Sequence, residues 1–341
     1  MNNLNTSMFN GKNILITGGT GSLGQALTNR LLKTEVNQIR IFSRNELKQI
    51  EMEEKFQDKR LRFFIGDVRD LSRLELAFED VDYIFHAAAL KHVPKVEYNP
   101  FESIKTNIIG SENVIAASIS NNVKKVVCIG TDKAVSPLNT YGATKLLMEK
   151  LFVSANNYLN EKRHPTKFIA VRYGNVLGSS GSVVPKFIEK IKKNEQLTIT
   201  NSKMTRFSIT MDEALDFILN ALYQGKGSEI FIPKIRAYEI NELKNALFEL
   251  LKNTGEEITG IRTGEKLNEV LINEYEIPHS WEINDMYMIL NPALSTKSML
   301  ELSKIYPNIK KLNKFENYAS NNVEKISKND LKNIIPNAKF I

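Results

Sequence analysis

Short apolar runs, each followed by small or polar residues and then by an apolar pattern of helical period, recur along this chain. Asn13-Ile14-Leu15-Ile16-Thr17 reads as a buried strand and leads into the helical pattern Gln25-Ala26-Leu27-Thr28-Asn29-Arg30-Leu31-Leu32. Gln38 to Phe42, Phe63 to Gly66, Tyr83 to His86, Val126 to Gly130 and Phe168 to Arg172 repeat the strand signal. Later, Met211 to Tyr223 reads as a helix and Glu229 to Ile232 as a further strand. Strands apolar throughout, alternating with helices, belong to a parallel sheet covered on both faces. The predicted class is therefore α/β, with a doubly wound parallel sheet whose ligand sits at the carboxyl ends of its strands. A Gly/Ser-rich stretch, Leu177 to Ser182, separates the sixth strand from the returning helix, so a smaller lobe is interleaved with the sheet domain.

In a chain of 341 residues, 42% hydrophobic and 25% charged, this pattern suffices for one large domain with a smaller lobe. No apolar run approaches the roughly 18 residues of a membrane span. The start, Met1-Asn2-Asn3-Leu4-Asn5, lacks a signal-peptide core, so the expected location is the cytoplasm, with no membrane partner. The single cysteine, Cys128, lies in a strand pattern, which excludes a disulfide framework and predicts a buried, inert thiol. His86, His92, His164 and His279 show no metal-ligand spacing, and no metal is predicted. The net charge of +7 comes from scattered lysines that concentrate after Glu301. That distribution is a solvated surface and not a nucleic-acid stripe, although its field suits a small anionic substrate.

Candidate chemistry begins after the first strand. Gly18, Gly21 and Gly24 are spaced GxxGxxG between strand and helix, with Thr20, Ser22 and Leu23 between them. Such glycines allow a tight turn, close approach of backbone to a pyrophosphate and a helix N-terminus facing the anion. Gln25 stands where a P-loop needs lysine, which argues against an NTPase. The second strand ends in Ser43-Arg44, where an NAD enzyme carries an acid for the ribose 2′-hydroxyl. An arginine there, with Lys48 one turn on, can hold a 2′-phosphate, so the predicted cofactor is NADP. Asp67-Val68 after the third strand suits the adenine, and the small Ala87-Ala88-Ala89 after the fourth lets a ribose and nicotinamide lie against backbone.

After the fifth strand come Thr131-Asp132-Lys133 and then Tyr141-Gly142-Ala143-Thr144-Lys145. On a helix, Tyr141 and Lys145 share a face, and the ammonium can lower the phenol's pKa so that it takes a proton from an alcohol. Asp132 and Lys133 add an acid and a candidate base. An unperturbed lysine, at about 10.4, must be desolvated or crowded by cations to serve as a base near neutrality.

These residues resemble the extended short-chain dehydrogenase/reductase superfamily over essentially the whole chain. Within it, Ala87 to Pro94, Lys105-Thr106-Asn107, Thr131 to Ala134, Tyr141 to Lys145, Arg172 to Val176, Met204 to Phe207 and Gly260 to Lys266 resemble the inverting UDP-N-acetylglucosamine 4,6-dehydratases of pseudaminic acid biosynthesis. Thr263 departs from the proline expected there, a change in loop stiffness. The resemblance implies a Rossmann-type sheet with a smaller, interleaved C-terminal substrate-binding lobe. It assigns residues 8–176 and 206–232 to the NADP-binding domain, 177–205 and 233–290 to the substrate lobe, and 291–341 to a C-terminal segment packed on that lobe, with Phe315 to Asn322 docking near the end.

The implied chemistry oxidises C4 of a UDP-sugar, eliminates water across C5 and C6, and returns hydride to C6, leaving a 4-keto, 6-methyl sugar of L-arabino configuration. Tyr141, aided by Lys145, accepts the C4 hydroxyl proton; Lys133 takes the C5 proton; Asp132 protonates the departing C6 hydroxyl. Lys91, Thr131, Asn175, Val183 and Lys186 face the substrate, Thr205, Arg206 and Arg262 its diphosphate and uridine, and Glu265 a ribose. Lys91 also belongs to the cofactor set. Homo-oligomers, hexamers among them, are implied as well. Retaining dehydratases pair the acid with glutamate and epimerases place Ser or Thr in this region, so Asp132-Lys133 discriminates. Capsular-sugar dehydratase/epimerases often carry Met for Tyr141 and Gln for His92. The alternatives are a nucleotide-sugar C4 epimerase, a retaining 4,6-dehydratase, or an NADP-sensing scaffold without turnover, which has no need of the acid, amine and phenol together.

Overall fold

A computed structural model describes residues 6–160, 162–179, 181–291, 299–312 and 316–337. Six parallel strands form its centre: β1 (Asn13–Thr17), β2 (Gln38–Ser43), β3 (Leu61–Ile65), β4 (Tyr83–His86), β5 (Lys125–Ile129) and β6 (Lys167–Val171). They lie in the order β3-β2-β1-β4-β5-β6, and Glu229–Pro233 adds a seventh parallel strand beside β6. The chain order reverses between β1 and β4, and an open α/β sheet leaves its ligand crevice at that point.

Alternation along the strands divides the core in two. Ile14 and Ile16 of β1 point into one apolar cluster, and Leu15 into the other, as a period of two requires when both faces are covered. Helix ends are marked by short polar side chains. Asn45 caps Glu46–Phe56, Asp70 caps Leu71–Phe78, and Thr210 with Glu213 makes a capping box for Met211–Gln224.

The smaller lobe has a core of its own, in which Val184, Phe187, Leu197, Met204, Tyr238, Leu243 and Leu247 meet. Asn175–Val176, Thr205–Ile209 and Ala237–Glu239 form its three-stranded sheet. Three features differ from the expected boundaries. Asn175–Val176 and residues 206–209, expected in the NADP-binding domain, lie in the smaller lobe's sheet, because they pair with each other and with Ala237–Glu239 and not with the large sheet. Ser280–Ile283 and Met286–Leu290, expected in the substrate lobe, extend the large sheet as an antiparallel hairpin beside Glu229–Pro233, because their buried residues complete its core. The C-terminal segment, expected on the substrate lobe alone, serves both cores: Leu302, Tyr306 and Ile309 join the sheet domain, whereas Ile326, Leu331 and Ile335 join the lobe. Phe315 of the expected docking segment lies outside the described residues, and Tyr318–Ala319 pairs antiparallel with Val270–Ile272.

One buried cation ties these parts together. Arg172 directly follows β6 and is fully buried. Its guanidinium donates to Glu149 on the Thr140–Ala155 helix at 2.9 Å, to Glu276 at 2.9 and 3.0 Å, and to the Leu271 carbonyl at 2.8 Å. The planar fork of arginine suits this paired recognition. No helix among the described residues is long and apolar enough to cross a membrane.

Replacing Arg172 with Met would strand the buried Glu149 carboxylate and the half-buried one of Glu276. The expected cost is about 3–5 kcal/mol of folding stability, read as a lower midpoint in urea unfolding at neutral pH.

Candidate active site

The crevice at the switch point is a cavity of about 670 Å³. Gly18 leaves β1 at φ 66°, and a Cβ on it would stand 2.9 Å from the Ala88 backbone that leaves β4. Glycine is required because the two strand ends nearly touch there. The helix Ser22–Leu31 starts at Gly21 without a side-chain cap and points its first turn at the cavity. Beneath this junction, His86 bridges Thr17 Oγ1 at 2.7 Å and Ser111 Oγ at 3.1 Å and stacks on Phe152. Burial pushes its pKa down to about 3, so the ring is neutral.

All of the residues expected around a dinucleotide lie on the cavity wall: Gly18, Thr20 to Gly24, Ser43, Arg44, Lys48, Asp67, Val68, Ala87 to Ala89, Lys91, Tyr141 and Lys145. Arg44 is half-exposed, with its guanidinium 3.6 Å from Asp67. Burial alone would raise the Asp67 carboxyl, but hydrogen bonds from Arg69 hold it below the usual range. Phe42, Gly66, His92, Thr106, Gly130 and Tyr173 also line the wall; strand ends marked Phe42, Gly66 and Gly130 in the sequence, and His92, Thr106 and Tyr173 lay in the resembling motifs without an assigned role.

At the far end, the turn after β5 seats Asp132 and Lys133 under the Thr140–Ala155 helix. Asn139 caps that helix through the Gly142 amide and donates to the Gly264 carbonyl at 2.8 Å, which ties in a loop of the smaller lobe. A Cβ at Gly142 would lie 2.3 Å from the Lys133 carbonyl, so glycine lets helix and turn meet. Lys133 and Tyr141 line the cavity. Asp132 stands just behind, fully buried, with its amide donating to the Tyr173 carbonyl at 3.0 Å. Its Oδ1 accepts from Lys133 Nζ and Thr131 Oγ1, each at 3.0 Å, and its Oδ2 has no partner among the described residues.

Burial raises the Asp132 pKa against the pull of Lys133, so this carboxyl retains a proton more readily than usual. Lys133 is raised too: burial would lower it, but Asp132 and Glu269 outweigh burial. The crowding by cations expected for Lys133 is therefore reversed, since two carboxylates surround it. Tyr141 is raised by burial, with Lys133 the main opposing cation. Lys145 instead donates to the Ile129 carbonyl at 2.6 Å, and burial lowers its pKa. The ammonium acting on the phenol is thus Lys133, because the Ile129 carbonyl at the end of β5 captures Lys145.

Lys91, Thr131 and Asn175 of the expected substrate set are on the wall. The others are not among the residues lining it. Lys186 projects from the outer face of Val183–Lys192, whose inner face buries Val184, Phe187 and Ile191, and Val183 is half-buried at its start. Thr205 and Arg206 are buried and engaged by the protein: Thr205 bonds Asn268 and Ser320, and Arg206 donates to the Thr205 and Leu267 carbonyls and faces Glu265 at 3.5 Å. Arg262 is exposed. Among the described residues, no group of His, Cys, Asp and Glu is arranged to hold a metal. Cys128 is buried, its thiol pushed up to about 12.

Residues 14–291 match the family described as polysaccharide biosynthesis protein. Over 284 residues the chain is 51% identical to the UDP-N-acetylglucosamine 4,6-dehydratase (inverting) of Campylobacter jejuni subsp. jejuni serotype O:23/36 (strain 81-176), covering 83% of this chain and 84% of that protein. A UDP-glucose 4-epimerase of Rickettsia bellii (strain OSU 85-389) is 40% identical over 339 residues, 98% of either chain. The X-ray structure of Pen from Bacillus thuringiensis is similar with a TM-score of 0.89 at 39% identity, covering 98% of this chain and 99% of that one.

His86 gives this region a pH signature. Its pKa is about 3 in the folded protein and about 6.5 when unfolded, so the unfolded chain takes up the proton first as pH falls. The stabilisation is complete above about pH 6.5 and is lost as pH drops toward 3. Between pH 7 and pH 4 the wild type is expected to lose about 3 kcal/mol more than His86→Gln, measured by urea unfolding at each pH.

Proposed function

The chain belongs to the polysaccharide biosynthesis protein family, and from that premise we propose that it is a UDP-N-acetylglucosamine 4,6-dehydratase that inverts C5. The observation carrying this reading is the Asp132–Lys133 pair, 3.0 Å apart, with the carboxyl fully buried and the amine on the wall beside Tyr141, in the same cavity that the glycine turn lines. The likeness to the Campylobacter enzyme supports it. An epimerase needs a phenol to move a proton at C4 but neither an acid for a leaving hydroxyl nor a base at C5. The pair therefore favours elimination over the activity named for the Rickettsia relative.

The Gly18–Gly24 turn and the small Ala87–Ala89 wall fit a nicotinamide dinucleotide: the Gly18–Ala88 approach leaves no room for a side chain, and the helix start is uncapped toward the cavity. A dinucleotide held there would supply the chemistry of hydride removal from C4 and its return to C6. Arg44, half-exposed on the cavity wall that Lys48 also lines, supports NADP over NAD, because its guanidinium would pair with a 2′-phosphate. Tyr141 accepts the C4 hydroxyl proton. A 4-ketone makes the C5 hydrogen acidic, and Lys133 removes it. Asp132, whose burial favours the protonated form, supplies the proton that the departing C6 hydroxyl needs. Lys91, Thr131 and Asn175 orient the nucleotide-sugar, with Ser179 and Ser182 of the glycine-flanked loop beside them. Lys145 fastens the Thr140–Ala155 helix to the end of β5.

The product is a precursor for pseudaminic acid-type sugars, made in the cytoplasm where nucleotide-sugars are consumed. The protein acts as a homo-oligomer. Exposed Phe101, Ile104, Ile109 and Leu147, on the consecutive helical segments Pro100–Ser103 and Ile104–Ile109 and on the Thr140–Ala155 helix, support association of copies through this face.

Incubation with UDP-N-acetylglucosamine and NADP in heavy water is expected to yield a 6-deoxy-4-keto sugar deuterated at C5, with proton couplings of the L-arabino ring. A C4 epimer without loss of water would refute dehydration. Lys133→Met should still oxidise C4 in a single turnover, seen as nicotinamide absorbance, but more slowly because Tyr141 loses its neighbouring ammonium, while C5 exchange falls by about 100-fold or more; retained turnover would refute the base assignment. Arg44→Ala should raise KM for NADP about 10-fold or more while leaving that for NAD nearly unchanged, as read in steady-state kinetics.

A further inference from the structure

Lys133 does not face Asp132 alone. Its Nζ stands 3.4 Å from Asn175 Oδ1 and 3.5 Å from Oε1 of Glu269. Glu269 is itself buried, its Oε2 is without a hydrogen-bond partner among the described residues, and Arg206 Nε lies 3.8 Å from its Oε1. Its backbone is pinned from the far end of the chain. The Glu269 amide donates to Ser320 Oγ and the Ser320 amide to the Glu269 carbonyl, each at 2.8 Å, while Ser320 Oγ also meets Thr205 Oγ1 at 2.6 Å. A carboxylate from a distant part of the chain is thus fixed against the amine that elimination would use.

The charges facing Lys133 come from every element around it. Asp132 is on its own turn, Glu269 and Lys266 on the segment before Val270–Ile272, Arg206 on Thr205–Ile209, Tyr141 on the Thr140–Ala155 helix, and Tyr238 on Ala237–Glu239. Lys266 is occupied by the Val135 carbonyl. Of the two carboxylates, Glu269 remains ionised: burial would raise it, but Lys133, Arg206 and Lys266 lower it further.

This arrangement matters because elimination needs the pair in a form opposite to its resting one. If a proton passes from Lys133 Nζ to Asp132 Oδ1 across 3.0 Å, one N–H bond breaks and one O–H bond forms, leaving a neutral amine and a neutral acid. That single transfer prepares both the C5 base and the donor for the C6 hydroxyl. An adjacent anion that cannot take the proton favours the ammonium, since the neutral amine gains nothing from it.

We propose that Glu269, pinned by Ser320, is a positioning residue that keeps the proton on Lys133 in the resting site and so sets the pH range in which C5 is deprotonated. The inference rests on the dehydratase reading. Glu269 touches no reacting atom; it acts through Lys133.

The test is the pH profile of C5–H cleavage in single turnovers of wild type, Glu269→Gln and Glu269→Asp with UDP-N-acetylglucosamine. Every form of the pair that carries the Lys133 charge is stabilised by the Glu269 anion. In Glu269→Gln both limbs are therefore expected to move to lower pH by about 1–3 units. In Glu269→Asp, which keeps the anion, they stay near the wild-type position. A Glu269→Gln rate that is depressed equally at every pH, with limbs unmoved, is a packing defect and overturns the proposal. Failure of the wild type to form any dehydrated product overturns the reading on which it rests, and this proposal with it. Should Glu269→Gln not fold, wild-type protein labelled with carbon-13 at lysine Cε decides the matter. The Lys133 signal, assigned by Lys133→Arg, is expected to keep its ammonium shift from about pH 6 to about pH 9 without substrate; a neutral-amine shift in that range overturns the proposal.

Discussion

The site depends on a guanidinium with no access to water. Arg172 follows β6 directly, and its fork reaches the Thr140–Ala155 helix through Glu149, the Val270–Ile272 strand through the Leu271 carbonyl and the next turn through Glu276. Those are the pieces that carry the candidate chemistry. The helix bears Tyr141 and Lys145, the strand follows Glu269, and the residue after Arg172 offers the carbonyl that holds the Asp132 amide. A buried cation of this kind contributes little net stability, because desolvation offsets its pairing. It does make one arrangement far better than its neighbours, since any displacement leaves charge unpaired in a dry interior.

The cavity changes character along its length. Near the end of β2 the cations are exposed: Arg44 and Lys48 stand at the rim, and Asp67 is held mainly by Arg69. Such groups can pair with a phosphate at small cost because water already solvates them. At the opposite end the ionisable groups are buried or, for Lys133 on the wall, half-buried, and they are compensated within the protein. There Asp132, Lys133, Glu269 and Arg206 form a nearly closed set of two anions and two cations. The first end is suited to recognition and the second to proton transfer, where low dielectric makes small movements of charge large in energy.

The two lobes cooperate through chain crossings. The sheet domain supplies Asp132, Lys133 and Tyr141, while Glu269 and Arg206 arrive with the smaller lobe, and Ser320 arrives with the C-terminal segment. That segment cannot be a passive tail, since Tyr306 and Leu331 sit in separate cores. Its residues are mostly polar with widely spaced apolar positions, so its sequence signal resembles solvated surface until both cores exist to receive those positions.

Local pattern alone determined the parallel strands, the glycine turn and its dinucleotide geometry, and the adjacency of Asp132, Lys133 and Tyr141. Each depends on residues within about one turn or one strand of each other, where period and steric demand are decisive. The expected partnership of Lys145 with Tyr141 followed from helical spacing, yet the Ile129 carbonyl on a neighbouring strand competes for that ammonium, and spacing within one helix carries no trace of it. Arg206 was expected to meet a ligand because guanidinium binds phosphate, but it is enclosed by carbonyls and carboxylates from residues about sixty positions away. Glu269 had no distinguishing sequence signal: a glutamate four residues beyond Glu265 reads as surface until the chain folds it against Lys133. Sequence specifies which groups are available and how near neighbours face. Only the tertiary structure decides which charges share a dry space, because that depends on long-range approach, and electrostatic energy depends on distance and burial, not on order along the chain.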